Sequence, residues 1–399
     1  MNVIIGKIGT FINLTTEQKA HVLDRPYPIL FALAATRPIG YALPMTSWML
    51  YGAYGFTGKL LINEAVRRGH RPVLVGRNAA KLAEVAAPHD LEWLAVDLTD
   101  SGQLTRIVEQ FDLVFHAAGP FIRTSQPMIA ACLAGHAHYL DITGELAVFE
   151  STFRQHDAAD AAGVTLMSGV GYDIVPSDCL ARYVADKLPG ATHLETGLRA
   201  LADVSSGTVK SGLVNMRDMP AGSVVRREGR LVARPLGRDA RNIRFSDGVE
   251  KTLVAFPWGD LVTAYHTTGI ANITSYLAVP FRTGLPLMSR AASIMLKVPG
   301  IQALAERAAG LTFSGPDEAA QHSGRTYLWA RVSDDEGNFI EAWLETGEVY
   351  RFTALAGIRV VELVLALNPR GALTPAGAFG ADFVLDIEGV RRFDALPEH

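Results

Sequence analysis

Cysteine is nearly absent: among 399 residues only Cys132 and Cys179 occur. A chain of this length buries enough apolar surface without covalent staples, so a disulfide framework is excluded and a reducing, cytoplasmic setting is expected. Charge of one sign is scarce as well. The 37 Lys and Arg nearly balance 41 Asp and Glu, giving a net charge of -4, and without a basic face no nucleic-acid partner is expected. No apolar run of about 18 residues, the length that spans a bilayer, escapes a charge; the nearest approach, residues 28–54, holds Arg37 and three prolines. The first 25 residues alternate polar and apolar without a cleavage pattern, so secretion is not expected. The Gly-x-Ser-x-Gly elbow of many hydrolases is missing. His136 and His138 offer half a zinc site with no Cys or His cluster to complete it, so no metal is expected.

What is present is a rhythm. From Trp48 onward short β-branched or apolar runs (48–51, 72–75, 91–96, 113–117, 137–141, 164–167) alternate with amphipathic stretches (57–68, 79–87, 101–110, 124–134, 147–162), and Gly69, Gly135 and Gly163 fall where helices should end. This predicts an α/β fold: a Rossmann doubly wound parallel sheet over residues 45–190, with closing elements drawn from 350–399. Residues 191–386 read as a second, α+β substrate domain with strand-like runs at 261–267, 326–332 and 340–344. Residues 1–44 have no such periodicity and read as an extension outside the folded enzyme. Eight arginines between Arg217 and Arg244 read either as a solvated hairpin or as a docking face for an acidic carrier or phosphate tail.

Gly52-Ala53-Tyr54-Gly55-Phe56-Thr57-Gly58 follows a predicted strand and opens a predicted helix. In that context the glycines give a tight turn, backbone approach to a pyrophosphate and close helix packing, and free amides around Thr57 and Gly58 face the phosphates. A triphosphate loop is excluded, because Ala53 replaces a required glycine and Leu60 a magnesium-ligating hydroxyl. After the second strand comes Gly76-Arg77-Asn78, with no carboxylate for the ribose hydroxyls. A guanidinium there suits a 2′-phosphate, so the cofactor is expected to be NADP(H); the alternative is a capping or surface Arg77. Asp97, after the third strand, is placed either for the adenine amino group or as a helix N-cap.

These segments, together with Ala117-Ala118-Gly119-Pro120-Phe121, the 139–145 run Tyr-Leu-Asp-Ile-Thr-Gly-Glu and the 171–178 run Gly-Tyr-Asp-Ile-Val-Pro-Ser-Asp, resemble the saccharopine dehydrogenase-like oxidoreductases. The resemblance runs from about residue 46 to 386 and is strongest to the bacterial branch that includes trans-acting enoyl reductases. Tyr54 and Ile174 depart from the commoner family residues. The resemblance implies an NADP-dependent oxidoreductase, reducing an activated double bond in a hydrophobic, free or carrier-bound substrate, with peripheral membrane contact; alternatives are a C–N oxidoreductase on an amino-acid conjugate and a non-catalytic NADP-binding protein at a lipid surface.

Hydride chemistry needs the nicotinamide held against the acceptor and a group that answers the charge left behind. The small-residue turn Ala118-Gly119-Pro120 is the expected nicotinamide rest. Tyr139, Asp141 and Glu145 are candidate substrate contacts, or else loop caps and helix-start charges. Tyr172 is the candidate proton donor and Asp173 its orienting partner, the alternative being a helix-entry turn without catalysis; Lys210 or Thr208 is the candidate facing the nicotinamide from the second domain, with helix capping as the other reading of Thr208. Tyr183 and Lys187, with Ser168 upstream, imitate a short-chain dehydrogenase set, but the helix and strand intervening before Ser168 argue against it. An apolar helix surface at 285–304 would suit a greasy substrate or a core.

Overall fold

The computed structural model describes residues 47–200, 222–235, 237–278, 301 and 323–398. The expectations placed on residues 1–44, Thr208, Lys210 and 285–304 therefore lie outside the described residues, residue 301 apart.

Strands β1 (Trp48–Tyr51), β2 (Val73–Gly76), β3 (Trp93–Ala95), β4 (Leu113–His116), β5 (His138–Asp141) and β6 (Thr165–Met167) form a wholly parallel sheet in the order 6-5-4-1-2-3. Period-two alternation sorts its two faces: Trp48, Leu50, Leu113 and Phe115 enter one apolar core, whereas Met49, Tyr51 and Val114 enter the other. The crossovers are α1 (Phe56–Arg67), α2 (Ala79–Ala86), α3 (Ser101–Val108), α4 (Phe121–Gly135), and the pair α5 (Leu146–Phe153) and α6 (His156–Ala162). The single helix expected at 147–162 is thus broken at Arg154–Gln155.

Helix α7 (Val175–Lys187) leads into a second sheet. Its strands β7 (His193–Ala200), β8 (Gly222–Arg227), β9 (Arg230–Pro235), β10 (Ala240–Arg244), β11 (Glu250–Ala255), β12 (Asn272–Ala278), β13 (Thr326–Ser333), β14 (Phe339–Thr346) and β16 (Arg391–Phe393) follow the order 10-11-12-7-13-14-16, with the 8–9 hairpin leaning on β12. The sheet curls enough for the Trp343 indole of β14 to donate to the Arg244 carbonyl of β10 at 2.9 Å. Residues 261–267 are not a strand. They form α8 (Asp260–Thr268), between Gly259 and Gly269, because packing of Leu261, Val262 and Ala264 into the shared core outweighs their extended-chain preference.

Helix α9 (Val349–Leu367) starts where the Glu348 carboxylate accepts from the Tyr350 and Arg351 amides at 2.9 Å, and stops at Asn368, left-handed with φ 47°. Gly357 lets it lie against the first sheet, since a Cβ there would come within 2.9 Å of the Phe115 ring. The chain then adds β15 (Gly371–Ala372) to β6 and turns through α10 (Pro375–Phe379). Gly371–Ala372 thus belongs to the first sheet, within the residues 350–399 from which closing elements are expected, and Arg391–Phe393 belongs to the second. No helix of the described residues is long and apolar enough to cross a membrane.

Candidate active site

The carboxyl edge of the first sheet carries the glycine loop. Gly52 has φ +92°, and a Cβ on it would sit 2.8 Å from the Ala117 carbonyl carbon and the Ala118 nitrogen, so the loops after β1 and β4 touch backbone to backbone. Gly58 packs α1 onto the loop itself; its Cβ would meet the Gly52 oxygen at 2.5 Å. The Gly55 amide closes the turn onto the Gly52 carbonyl at 3.0 Å, while the first helical amides, Phe56, Thr57 and Gly58, find no backbone acceptor. That is an anion cradle at a helix N-terminus. The Phe56 ring is turned away from it, edge-on to Tyr350 at 5.0 Å, so Phe56 offers an amide rather than a side chain. The Tyr54 ring lies across Gly76 at the end of β2, within 5.8 Å of the Lys81 ammonium.

Arg77 is exposed beyond β2, and its charge acts on Asp97 and Tyr51. Asn78 caps α2 through the Lys81 amide at 3.0 Å. Asp97 is not a helix cap: it accepts from the Thr99 amide at 2.9 Å and hydroxyl at 2.8 Å, which hold it below the usual carboxylate range, and Asp100 caps α3. Its second oxygen remains available to an adenine amino group. The cradle and the exposed guanidinium fit NADP.

Three expected substrate contacts are corrected. Tyr139 and Asp141 are wholly buried. Asp141 accepts from Tyr139 (2.8 Å), the Thr143 amide (3.0 Å), Ser168 (2.9 Å) and the Gly169 amide (2.9 Å), tying together the loops after β5 and β6. Burial still raises its carboxyl to about 6. The Tyr139 hydroxyl also meets the His116 ring at 3.1 Å, and burial lowers that imidazole to about 3, so it stays neutral. Glu145, also buried, spans to α4, accepting from the Phe121 amide at 3.0 Å and the Ile122 amide at 2.7 Å. These side chains are engaged inside the fold, on the loops after β5 and β6 and on the start of α4. Above them the Ala118-Gly119-Pro120 turn is pinned by Thr124, whose hydroxyl donates to the Ala118 carbonyl at 2.7 Å.

After β6 the roles of two neighbours exchange. Tyr172 is buried edge-on to Phe352, its hydroxyl directed toward Thr326 without completing a hydrogen bond. Asp173 is half-buried beside Gly144, and no described donor reaches its carboxylate. Burial, with the Glu145 charge second, raises it to about 6. Asp173 is therefore the half-exposed member of this pair, and Tyr172, expected as the proton donor, is buried. The Trp258 indole fixes this turn from the second sheet's side, donating to the Asp173 carbonyl at 2.8 Å. Trp258 was not among the residues expected; its signal was an aromatic between turn residues, Phe256-Pro257-Trp258-Gly259. Ile174 is fully buried and has no polar role.

Other motifs resolve into structure. Tyr183 and Lys187 both donate to Asp394, at 2.8 and 2.7 Å, far along the chain from the glycine loop, and Ser168 is consumed by Asp141 and Thr152. His138 accepts from the Thr165 amide at 2.9 Å, and His136 meets the Ala162 carbonyl at 3.1 Å. The arginine run is only partly solvated: β9 is largely exposed, but Arg226 is buried with its guanidinium 4.4 Å over the Tyr265 ring.

Comparison with known proteins agrees with this geometry. Residues 48–167 match the family described as the saccharopine dehydrogenase NADP binding domain. A probable mitochondrial saccharopine dehydrogenase-like oxidoreductase of Arabidopsis thaliana is 32% identical over 152 residues, 34% of this chain and 34% of that one. A trans-acting enoyl reductase of Mycobacterium leprae is 30% identical over 176 residues, 40% of this chain and 42% of the relative. The matches thus span well under half of those relatives' lengths. The solved saccharopine dehydrogenase of Saccharomyces cerevisiae shares the fold, with TM-score 0.57 and 12% identity over 86% of this chain and 96% of that one.

Proposed function

We propose, on the premise that residues 48–167 are the NADP-binding domain of a saccharopine dehydrogenase-type oxidoreductase, that the chain reduces an activated C=C bond in a hydrophobic, small or carrier-bound substrate. The observation that carries this is the Asp173 carboxyl: half-buried, without a described donor, and raised to about 6 at the cofactor edge. Bound NADPH would supply hydride. The amides at 56–58 and Arg77 would hold its phosphates, and the Ala118-Gly119-Pro120 turn would seat its nicotinamide. Asp173, in its protonated form, delivers the proton that completes saturation. One feature supports an apolar substrate: Ile122 is 40% exposed in the first turn of α4 beside Pro120. The same reading assigns no nucleic-acid partner and a cytoplasmic setting with peripheral membrane contact.

The test is loss of NADPH absorbance by the purified chain with an α,β-unsaturated octenoyl thioester, with mass analysis of the product. A saturated thioester is expected. Turnover of an amino-acid imine but not the thioester would replace the assignment with C–N chemistry, and tight NADPH binding without oxidation of any acceptor would remove the catalytic reading.

A further inference from the structure

The β8–β9 hairpin carries cations that no described carboxylate answers. Elsewhere among the described residues arginines meet acids: Arg68 pairs with Glu64, Arg182 with Asp186 and Arg392 with Asp382. Around the hairpin, Arg226 and Arg227 are spent on backbone carbonyls and Thr274, and Arg241 on Glu195. Arg230, Arg234 and Arg238 have no hydrogen-bond or ion-pair partner among the described residues, with Arg230 and Arg238 exposed and Arg234 half-buried. The acids of the same stretch, Glu228 and Asp239, form no ion pair with them.

The three arginines form a row that runs toward the candidate site. Strand β9 pairs only with β8 among the described strands, so its outer edge is open. Period-two alternation puts Arg230, Val232 and Arg234 on one side, the two arginines about 13 Å apart along the strand. At the open end of the hairpin, the Asp239 carbonyl, next to Arg238, accepts from the Ala255 amide at 2.8 Å. Ser223, opposite Arg234 in register, donates to the Ala255 carbonyl at 2.8 Å. Three residues later the Trp258 indole holds the Asp173 carbonyl at 2.8 Å. Arg234 and Arg238 therefore lie on the order of 20 Å from Asp173, a span that a pantetheine arm bridges between its phosphate and its sulfur.

The residue type and the surroundings select the anion. Every cation from 222 to 244 is arginine, whose fixed fork grips phosphate bidentately and stays charged at any working pH. Guarding an edge strand against pairing needs only charge, and gives no reason for a row that leads to a proton donor. A protein partner needs a landing of about 800 Å² with an apolar centre. This side of β9 offers only Val232, 36% exposed. A small ligand with several phosphates needs nothing but the guanidiniums.

We propose that the row binds the nucleotide phosphates of a coenzyme A thioester while the pantetheine arm carries the acyl group to Asp173. This names the substrate class of the reductase reading and rests on it.

The full chain, saturated with NADP⁺, is titrated calorimetrically with octenoyl coenzyme A and with octenoyl pantetheine, which has the same thioester and no phosphate. The coenzyme A ester should bind about tenfold more tightly or better, and the advantage should shrink as salt rises. Arg234→Ser and Arg238→Ser should each weaken it about three- to tenfold, and the triple variant that adds Arg230→Ser should bring both esters to one affinity. Binding of the pantetheine ester and of NADP⁺ should not change, which reports an intact fold. Equal wild-type affinity for the two esters would overturn the proposal, as would an advantage that survives the triple variant. So would a preference for octenoyl groups on an acidic carrier protein with none for coenzyme A over pantetheine. NADPH oxidation with octenoyl pantetheine reads the reductase assignment separately. Turnover without a coenzyme A advantage removes the arginine row alone, and a coenzyme A advantage without turnover removes the reductase alone.

Discussion

The Glu145 carboxylate, at the end of the loop after β5, receives the Ile122 amide of α4 at 2.7 Å, with the Phe121 amide on its other oxygen at 3.0 Å. A charge at the start of one helix thus completes the start of another. Glu145→Ala leaves two amides unsatisfied and should lower stability by about 1–3 kcal/mol, seen as a reduced Tm. Because these amides hold the Ala118-Gly119-Pro120 turn in place, the variant should also raise KM for NADPH. Glu145→Gln should recover part of both, and an unchanged Tm in the alanine variant would contradict the capping role.

Arg77 is the exposed cation after β2. Charge-assisted bonds to phosphate contribute roughly 1.5–3 kcal/mol each, so Arg77→Ala should weaken NADPH about ten- to a hundredfold while leaving NADH nearly unchanged. Titration with both cofactors decides; equal weakening would assign Arg77 to the fold.

Asp173 governs a pH dependence with a definite sign. As an acid with its carboxyl near 6, it should support kcat at low pH and lose it as pH rises through that value, and Asp173→Asn should lower kcat by about 10²–10⁴. Stability has a related sign. The folded carboxyl is raised above its unfolded value of 3.8, so the native state binds more protons between about 4 and 6, and stability falls as pH rises through that window. Asp173→Asn should therefore raise Tm at pH 8 relative to wild type and change it little at pH 4. A lower Tm at pH 8 would show that the carboxylate is structurally paired.

Tyr183 makes its hydrogen bond to Asp394, with Lys187 on the same oxygen. Tyr183→Phe should leave kcat within about twofold and shift stability by no more than about 1 kcal/mol, as for exposed polar pairs. A collapse of kcat would restore the short-chain dehydrogenase mechanism.

Much of the first sheet was legible because its strands are short, apolar and separated by helices with glycine stops; Trp48–Tyr51 and Leu113–His116 lie almost where the pattern puts them. The glycine loop was legible because its constraints are local, a positive φ at Gly52 and close contact at Gly58. Residues 261–267 misled because Val, Thr and Tyr favour strands while burial on α7 decided otherwise. Tyr139, Asp141 and Glu145 misled for a different reason. A carboxylate at a strand end looks available until the amides of neighbouring loops, contributed from distant sequence, are seen to occupy it. Tyr172 and Asp173 are adjacent in sequence, yet backbone direction buries one and half-exposes the other.

The two-residue strand Gly371–Ala372 has a consequence for how the protein is made. Its approach to β6 is secured by a bond from the Thr165 hydroxyl to the Pro369 carbonyl, 204 positions later. At a synthesis rate of about 5–20 residues per second, the β6 edge waits some 10–40 s on the ribosome before its neighbour exists. During that interval an otherwise complete cofactor sheet presents an unpaired parallel edge, the kind of surface that recruits foreign strands. The nascent chain is thus most exposed to misassembly after its nucleotide-binding half has emerged, and a holdase acting late in translation would protect it more than one acting early.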